Sequence, residues 1–438
     1  MMVHVCVYDK IGAGQAGLTA HARLKMLGVR ALVVDRHRQV GDNWRSRYEQ
    51  LVLHDPVWYD HLPYLPFPAT WPVFTPKDML ADWFEGYAKA LELNIWMDTR
   101  VVSSVWDEAS SQWTVVVERR VGSTGVSDGD GDDSKCVTTR RTLRAKHIIQ
   151  ATGHSGVPEL PDLPGMDGFK GDVLCHSATF PGARDLKEDE KRKKKKAVVV
   201  GACNSAHDIC QDFYEKGYDV TMVQRSSTCV VSSAAAVDLV IAPLYMEGGP
   251  PAEDADLWLW GWPAEVFKAI CVGVWELVSE RDAGLIADLE RAGFKTDAGI
   301  DGAGLFNKYM QRGGGYYIDV GTSRLIIDGA IKVKQGQEVT EVVERGLRFA
   351  DGTELEADEI VFATGYQNMR TQTRNIFDDA VADRLENVWG YDAEGELRGM
   401  WRETGHPGFW YHGGNLAICR YFSRLLALQI KAKLEGLS

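Results

Sequence analysis

Paired cysteines, an excess of positive charge and an uninterrupted apolar run are all missing from this 438-residue chain. Each absence excludes a class of protein. The eight cysteines (Cys6, Cys136, Cys175, Cys203, Cys210, Cys229, Cys271 and Cys419) form no CxxC pair. Neither a disulfide framework nor a zinc ribbon has the spacing it needs, so reduced thiols in a cytoplasmic protein are expected, with no metal site. Asp and Glu outnumber Lys and Arg by 62 to 49, for a formal charge of −13. Such a surface repels a phosphate backbone, and nucleic acid is not an expected partner. The most apolar stretch, Leu257 to Val278, is interrupted by Pro263, Glu265, Lys268 and Glu276. A spanning helix needs about 20 predominantly apolar residues, so no integral membrane segment is expected and the stretch reads as a buried or lid helix. The residues ahead of Gly12 lack a basic start, a long apolar run and a small-residue cleavage site, and secretion is not expected.

What the chain does have is glycine, 44 residues alongside 45% hydrophobic residues, which excludes a disordered or fibrous protein. Its length is roughly two to three times that of an ordinary domain. Two segments then repeat one grammar. In the first, GAGQAG (Gly12 to Gly17) opens a helical pattern through Ala20, Leu24 and Leu27, and ALVVD (Ala31 to Asp35) follows as a buried strand. VVSSVWD, QWTVVVERR and a stretch ending in HIIQATG (His147 to Gly153) complete it. The second copy starts with AVVVGACNSA (Ala197 to Ala206), continues through a helix to Lys216 and the strand DVTMVQR (Asp219 to Arg225), and ends in IKVKQ, VTEVVERG and EIVFATG (Glu359 to Gly365). Strand, glycine turn, helix and strand make the βαβ unit of a doubly wound sheet. Each copy adds an antiparallel β-meander, so the expected fold is α/β with two Rossmann-like dinucleotide-binding domains.

The two loops differ where it matters. In the first, Gly12 allows the tight turn, Gly14 lets backbone N–H groups approach a pyrophosphate, and Gly17 lets the helix pack close to the strand. Asp35 stands 23 residues after Gly12 at a strand end, the place from which a carboxylate accepts hydrogen bonds from a ribose diol. In the second, Gly201 and Ala206 keep the outer positions while Cys203 replaces the middle glycine. Arg225 stands 24 residues after Gly201, and a guanidinium there pairs with a 2′-phosphate. Asp in one copy and Arg in the other assign FAD to the first site and NADPH to the second. The strand entering the first loop carries Asp9 and Lys10 in what is normally a buried run. The acidic tract Asp128 to Asp133 reads as a hairpin tip, and Lys191 to Lys196 as a solvated linker.

Taken in order, GAGQAG, VGDNW (Val40 to Trp44), ATGHSG, FKGDVLCHSATF (Phe169 to Phe180), GACNSAHD and ATGY (Ala363 to Tyr366) resemble the flavin-containing monooxygenases, a group of class B flavoprotein monooxygenases. The branch with fungal members and plant enzymes acting on indole-3-pyruvate is the most similar in look, and the likeness covers about residues 10 to 230 and 315 to 420. The resemblance implies that Gly12, Gly14, Gln15, Ala16, Gly17, Asp35, Asp42, Asn43, Trp44 and Gly153 hold FAD. It implies that Gly201, Asn204, Ser205, Ala206 and Arg225 hold NADPH, and that Gly365 is a further cofactor-binding residue. It further implies that NADPH passes hydride to FAD, that reduced flavin adds dioxygen at its C4a carbon, and that the resulting peroxide oxygenates a small organic substrate.

Two features depart from the family pattern. The signature residues Phe169, Gly171, His176 and Phe180 are present, but His176 arrives one residue later than in the common form. Where animal members carry an asparagine beside the flavin, His54 and Asp55 stand in LVLHDP (Leu51 to Pro56). His54 is the candidate catalytic donor, with a packed core histidine as the other reading. The matching GGN turn (Gly413 to Asn415) lies near the flavin in the family, which makes Asn415 a candidate for both catalysis and cofactor binding, or a simple helix cap. A Baeyer–Villiger oxygenase is the nearest rival, ranked second because its signature usually ends in tryptophan rather than Phe180; an oxidase-like or inactive flavoprotein relic is the other.

The expected organisation is an FAD-binding domain over residues 1–185, an NADPH-binding domain over 186–370 with a substrate or lid insert at about 233–312, and a return to the first domain over 371–438. The expected partners are a small-molecule substrate and O2. Oligomeric state leaves no trace in the sequence, and a homodimer stays open.

Overall fold

The computed structural model describes residues 2–8, 12–121, 137–377 and 379–437. Asp9, Lys10 and the tract Asp128 to Asp133 lie outside the described residues. The first sheet contains β1 (Met2–Tyr8), β2 (Ala31–Val34), β3 (Ile95–Trp96), β4 (Thr99–Asp107), β5 (Gln112–Val121) and β6 (Val137–Gln150), in the order β3-β2-β1-β6-β5-β4. Strand β6 does two jobs. Its first part pairs antiparallel with β5, and its last residues lie parallel to β1 on one side. A late three-residue strand, Phe409–Tyr411, is parallel to it on the other side.

The second sheet is all parallel. It is built from β7 (Val173–His176), β8 (Lys196–Val200), β9 (Asp219–Gln224), β12 (Ile331–Gln335) and β16 (Glu359–Phe362), in the order β12-β9-β8-β16-β7. Between them in the chain run β10 (Cys229–Ser232) and β11 (Tyr316–Asp319), a parallel pair, and the antiparallel meander β13 (Val339–Val343), β14 (Gly346–Phe349) and β15 (Glu354–Glu356). The expected α/β class, two doubly wound sheets each with a meander, is borne out. Ala197 to Val199 and Ile360 to Phe362 are buried, as the β-branched runs of strands covered on both faces require. Strand β7 lies ahead of the boundary expected at 185, yet it pairs with β16 in the second sheet.

The stretch read as one lid helix is two, Ala252–Trp260 and Ala264–Arg281, broken at Gly261 and Pro263. Among the described residues no helix is long and apolar enough to cross a membrane. The basic tract is not a solvated linker throughout: Glu188–Lys193 is helical, and Lys195 is buried against Asp172 and, at 2.9 Å, Glu359. Burying a lysine requires paired carboxylates, and both are present. The signature glycine, Gly171, is set by packing, since a Cβ there would meet the Phe169 ring at 2.2 Å and the Asp358 carbonyl at 2.4 Å.

Candidate active site

Helix α1 (Gln15–Met26) starts at the first glycine loop with Gly14 as N-cap and no side chain capping it. Its first N–H groups therefore have no intrahelical acceptor and face outward, the usual anion-binding arrangement. Asp35, at the end of β2, is buried, and Oδ2 accepts from the Ala13 N–H at 2.8 Å. Oδ1 accepts from the backbone N–H of His37 and faces its Nδ1, both at 2.8 Å. The predicted ribose acceptor thus also holds the glycine loop. Asp42, Asn43 and Trp44 form the short helix α2 (Asp42–Arg45) after Gly41, whose φ of 92° and whose 2.4 Å clearance from the Ala81 carbonyl exclude a side chain. Asp42 is engaged locally, accepting from Gln39 N–H and Arg45, while the buried Trp44 indole N–H has no partner.

Three separated pieces of sequence meet beside this loop. Parallel pairing of β6 with Phe409–Tyr411 carries Gly153 and the GGN turn to the same sheet edge. A Cβ on Gly413 would lie 3.6 Å from the Gly153 Cα. Gln15 Nε2 donates to the Gly414 carbonyl at 3.1 Å. Asn415 caps the C-terminal helix Leu416–Glu435, Oδ1 accepting from Ile418 N–H at 3.0 Å. Its backbone N–H, however, is not open to a ligand: it donates to the Tyr309 hydroxyl at 2.9 Å. Tyr309 comes from Gly304–Arg312 in the insert and carried no sequence signal.

The second loop opens on a cleft of about 910 Å³, whose lining includes Gly201, Asn204, Ser205, Ala206, Arg225, Arg312 and Gly365. Gly201 has a φ of 140°, and a Cβ there would stand 2.4 Å from the Ala363 carbonyl, so only glycine permits this turn. Helix α3 (Asn204–Glu215) begins here with Cys203 as an N-cap that supplies no side-chain bond. Asn204 Oδ1 accepts from Ile318 N–H at 3.0 Å, tying the loop to β11. The Arg225 side chain is 74% exposed, and among the described residues its ionic contact is Glu338, at 3.5 Å. The Gly365 carbonyl is engaged by Glu159 N–H and by His176 Nε2, at 2.9 and 3.0 Å. His176 is therefore a tie between strand ends, its pKa lowered by burial. His154, pushed down to about 4 by burial, is edge-on to Tyr309 and Trp389.

His54 sits at the seam of the two halves. Nε2 lies 3.3 Å from Asp208 Oδ1 on α3, and Asp208 Oδ2 accepts from the Tyr48 hydroxyl at 2.7 Å. Burial opposes the charged ring, but Asp208, with Asp55, outweighs it and raises the His54 pKa. Burial likewise lifts Asp55 to about 6, against the pull of His54. Asp208 was legible as part of GACNSAHD, yet an acid one turn into a helix has no motif meaning by itself. The glycine cradle at Gly201, the uncapped N-terminus of α1 and the exposed guanidinium of Arg225 fit two dinucleotides.

A sequence profile of the pyridine nucleotide-disulphide oxidoreductases matches residues 10–242. The chain is 29% identical, over 82% of its length and 76% of the relative's, to the indole-3-pyruvate monooxygenase YUCCA1 of Oryza sativa subsp. japonica. In fold it is similar to a flavin-containing monooxygenase from Stenotrophomonas maltophilia, with a TM-score of 0.62, 16% identity and 99% of each chain covered. It is similar to the same degree, TM-score 0.62 and 16% identity, to cyclohexanone monooxygenase from Rhodococcus sp. Phi1 bound to NADP+, covering 100% of this chain and 84% of that one. With the profile spanning more than half of the sequence, the chain belongs to the pyridine nucleotide-disulphide oxidoreductase family, and within it the chain is similar to flavin monooxygenases.

Proposed function

We propose that this protein is an NADPH-dependent flavin monooxygenase that oxygenates a small organic molecule with O2. The observation that carries the reading is the cleft at the second glycine loop, where an exposed Arg225 stands ready for a 2′-phosphate while the equivalent position of the first loop holds Asp35. Gly12, Gly14, Gln15, Ala16, Gly17, Asp42, Asn43, Trp44, Gly153 and Asn415 would hold FAD, with Asp35 meeting the ribose. Gly201, Asn204, Ser205, Ala206 and Gly365 would hold NADPH. FAD, when bound, accepts hydride from NADPH and activates dioxygen at its C4a carbon; the protein supplies binding, orientation and exclusion of water. The FAD-binding unit takes the expected 1–185 and 371–438 less β7, which goes with the NADPH-binding unit of 186–370 because it pairs in that sheet, and the insert at 233–312, which delivers Tyr309 to the GGN turn, shapes the substrate pocket.

The name of the rice relative puts arylpyruvates first among substrates, so the test is aerobic NADPH consumption with arylpyruvates, thioethers, amines and ketones, with hydrogen peroxide release measured in parallel. A yellow protein that forms oxygenated product in step with NADPH use is the expected result. Ester or lactone formation in the ketone arm alone would transfer the assignment to Baeyer–Villiger chemistry. Colourless protein that leaves NADPH untouched would reject the reading.

A further inference from the structure

The segment carrying His54 leaves the first half of the molecule and lies against α3 of the second. Asp208 receives it with both carboxylate oxygens, Oδ2 taking the Tyr48 hydroxyl at 2.7 Å and Oδ1 facing His54 Nε2 at 3.3 Å. Gln50 bonds Asp212 one turn further along the same helix. Asp208 is four residues after Asn204, which lines the cleft and is also a polar neighbour of His54. The other ring nitrogen, Nδ1, is buried without a hydrogen-bond partner. Folded proteins leave few buried polar atoms in that condition, and those that remain call for a functional account.

We propose that Asp208 is a positioning residue, holding His54 through Nε2 so that Nδ1 is the atom offered to an acceptor on the nicotinamide dinucleotide bound at the second loop. The inference rests on the cleft being the NADPH site. It adds to that reading a residue of the second domain that acts through a residue of the first. Several groups face the ring. Asp208 comes from α3, Asp55 from its own segment, and the Tyr317 ring lies edge-on at 6.5 Å from β11. His207, also on α3 and stacked on Tyr317 at 3.5 Å, opposes a second nearby cation. The two carboxylates prevail over burial and raise the pKa of His54. In its protonated form, which that shift favours, the ring carries hydrogen on both nitrogens, so Nε2–H faces Asp208 and Nδ1–H is left to donate.

The test is an NMR titration of the protein labelled with 13C at histidine Cε1, using His54→Gln to assign the His54 signal and NADP+ as the probe. Asp208→Asn should lower the His54 pKa by about one unit or more, and Asp208→Glu should restore most of it. NADP+ should shift the His54 signal in the wild type and bind at least fivefold more weakly to Asp208→Asn. Arg225→Ala should also weaken NADP+ while leaving the His54 pKa in place. An unmoved pKa in folded Asp208→Asn, or a His54 signal indifferent to NADP+ that calorimetry shows to be bound, would overturn the proposal and leave the assignment of the cleft standing. Should Asp208→Asn not fold, the NADP+ response of His54 in the wild type decides alone. Wild type that binds no NADP+ overturns the cleft assignment and this inference together, whereas the pKa comparison still reports whether Asp208 controls His54.

Discussion

Asp35 accepts a hydrogen bond from the Ala13 backbone across 22 residues, so the carboxylate at the end of β2 holds the glycine loop in place. Removing it should therefore cost more than a ribose contact. Asp35→Ala leaves the buried Ala13 N–H unsatisfied, a loss of about 1–3 kcal/mol. The flavin-free protein should melt several degrees lower, and the flavin retained after gel filtration should fall with it. Were Asp35 only a cofactor ligand, the melting temperature without flavin would not change.

On the proposed reading, Arg225 sets the choice of coenzyme. Its guanidinium is exposed and, among the described residues, has its ionic contact in Glu338, so little holds it back from a 2′-phosphate. Charge-assisted pairing at such an exposed site should give NADPH an advantage of about tenfold over NADH. Arg225→Ala should erase most of it, as read from flavin reduction rates with each coenzyme. An unchanged preference would move the 2′-phosphate site elsewhere, with Arg312 on the same cleft the next candidate.

Legibility in the sequence followed locality. The two glycine loops, the strands entering the second of them and the opposition of Asp35 to Arg225 were readable because each lies within one βαβ unit, where spacing alone sets position. Contacts made by distant segments were not. Tyr309 reaches Asn415 across 106 residues from an insert with no motif, and it changes what the GGN turn can offer. Lys195 read as one of six basic residues, and only the strand pairing that brings Asp172 and Glu359 to it explains its burial. Phe409–Tyr411 is too short and too aromatic to announce itself as a strand of the first sheet, yet its pairing with β6 sets Gly413 beside Gly153.

On the proposed reading, His54 separates oxygen transfer from waste. Its ring contacts Asp208 and Tyr317 at the seam between the halves. His54→Phe should bind NADPH more weakly but, at saturating NADPH, pass hydride to flavin at a near-normal rate, while releasing more hydrogen peroxide per NADPH consumed. If the ring serves packing alone, flavin content and melting temperature should drop together with the peroxide ratio unmoved. Peroxide yield, flavin absorbance and a melting curve on the same preparation distinguish the two outcomes.

Asp55 gives a pH signature of the opposite sense to an ordinary paired carboxylate. Burial raises it from 3.8 to about 6, so between those values the folded chain binds more protons than the unfolded one. Stability from this group is fully present below pH 3.8 and is lost as the pH rises through 6. Asp55→Asn removes the buried charge and should raise the melting temperature at pH 7.5 by a few degrees. The gain should shrink steadily as the pH falls from 6 toward 4. A gain of constant size across that range would assign the effect to packing.

A fully buried ion pair ties the insert to the body of the protein. Arg420 Nε donates to Asp256 Oδ2 at 2.7 Å and Nη2 to Oδ1 at 2.6 Å, while Nη1 donates to the Tyr59 carbonyl at 2.8 Å. Both side chains are almost wholly buried, and Tyr245 donates to the same carboxylate at 2.7 Å. The pair joins the C-terminal helix, which starts at the GGN turn, to Ala252–Trp260 of the insert. Deleting one partner strands a charge away from water, so Asp256→Ala should cost about 3–5 kcal/mol. Replacing both by apolar residues of similar volume, Asp256→Leu with Arg420→Met, should cost far less, because no charge is then left unpaired. Urea unfolding of Asp256→Leu, of Arg420→Met and of the double variant forms the cycle. Costs that simply add in the double variant would mean that the two side chains act independently and that the insert is held by its apolar contacts, such as Tyr59 against Tyr245 at 5.0 Å.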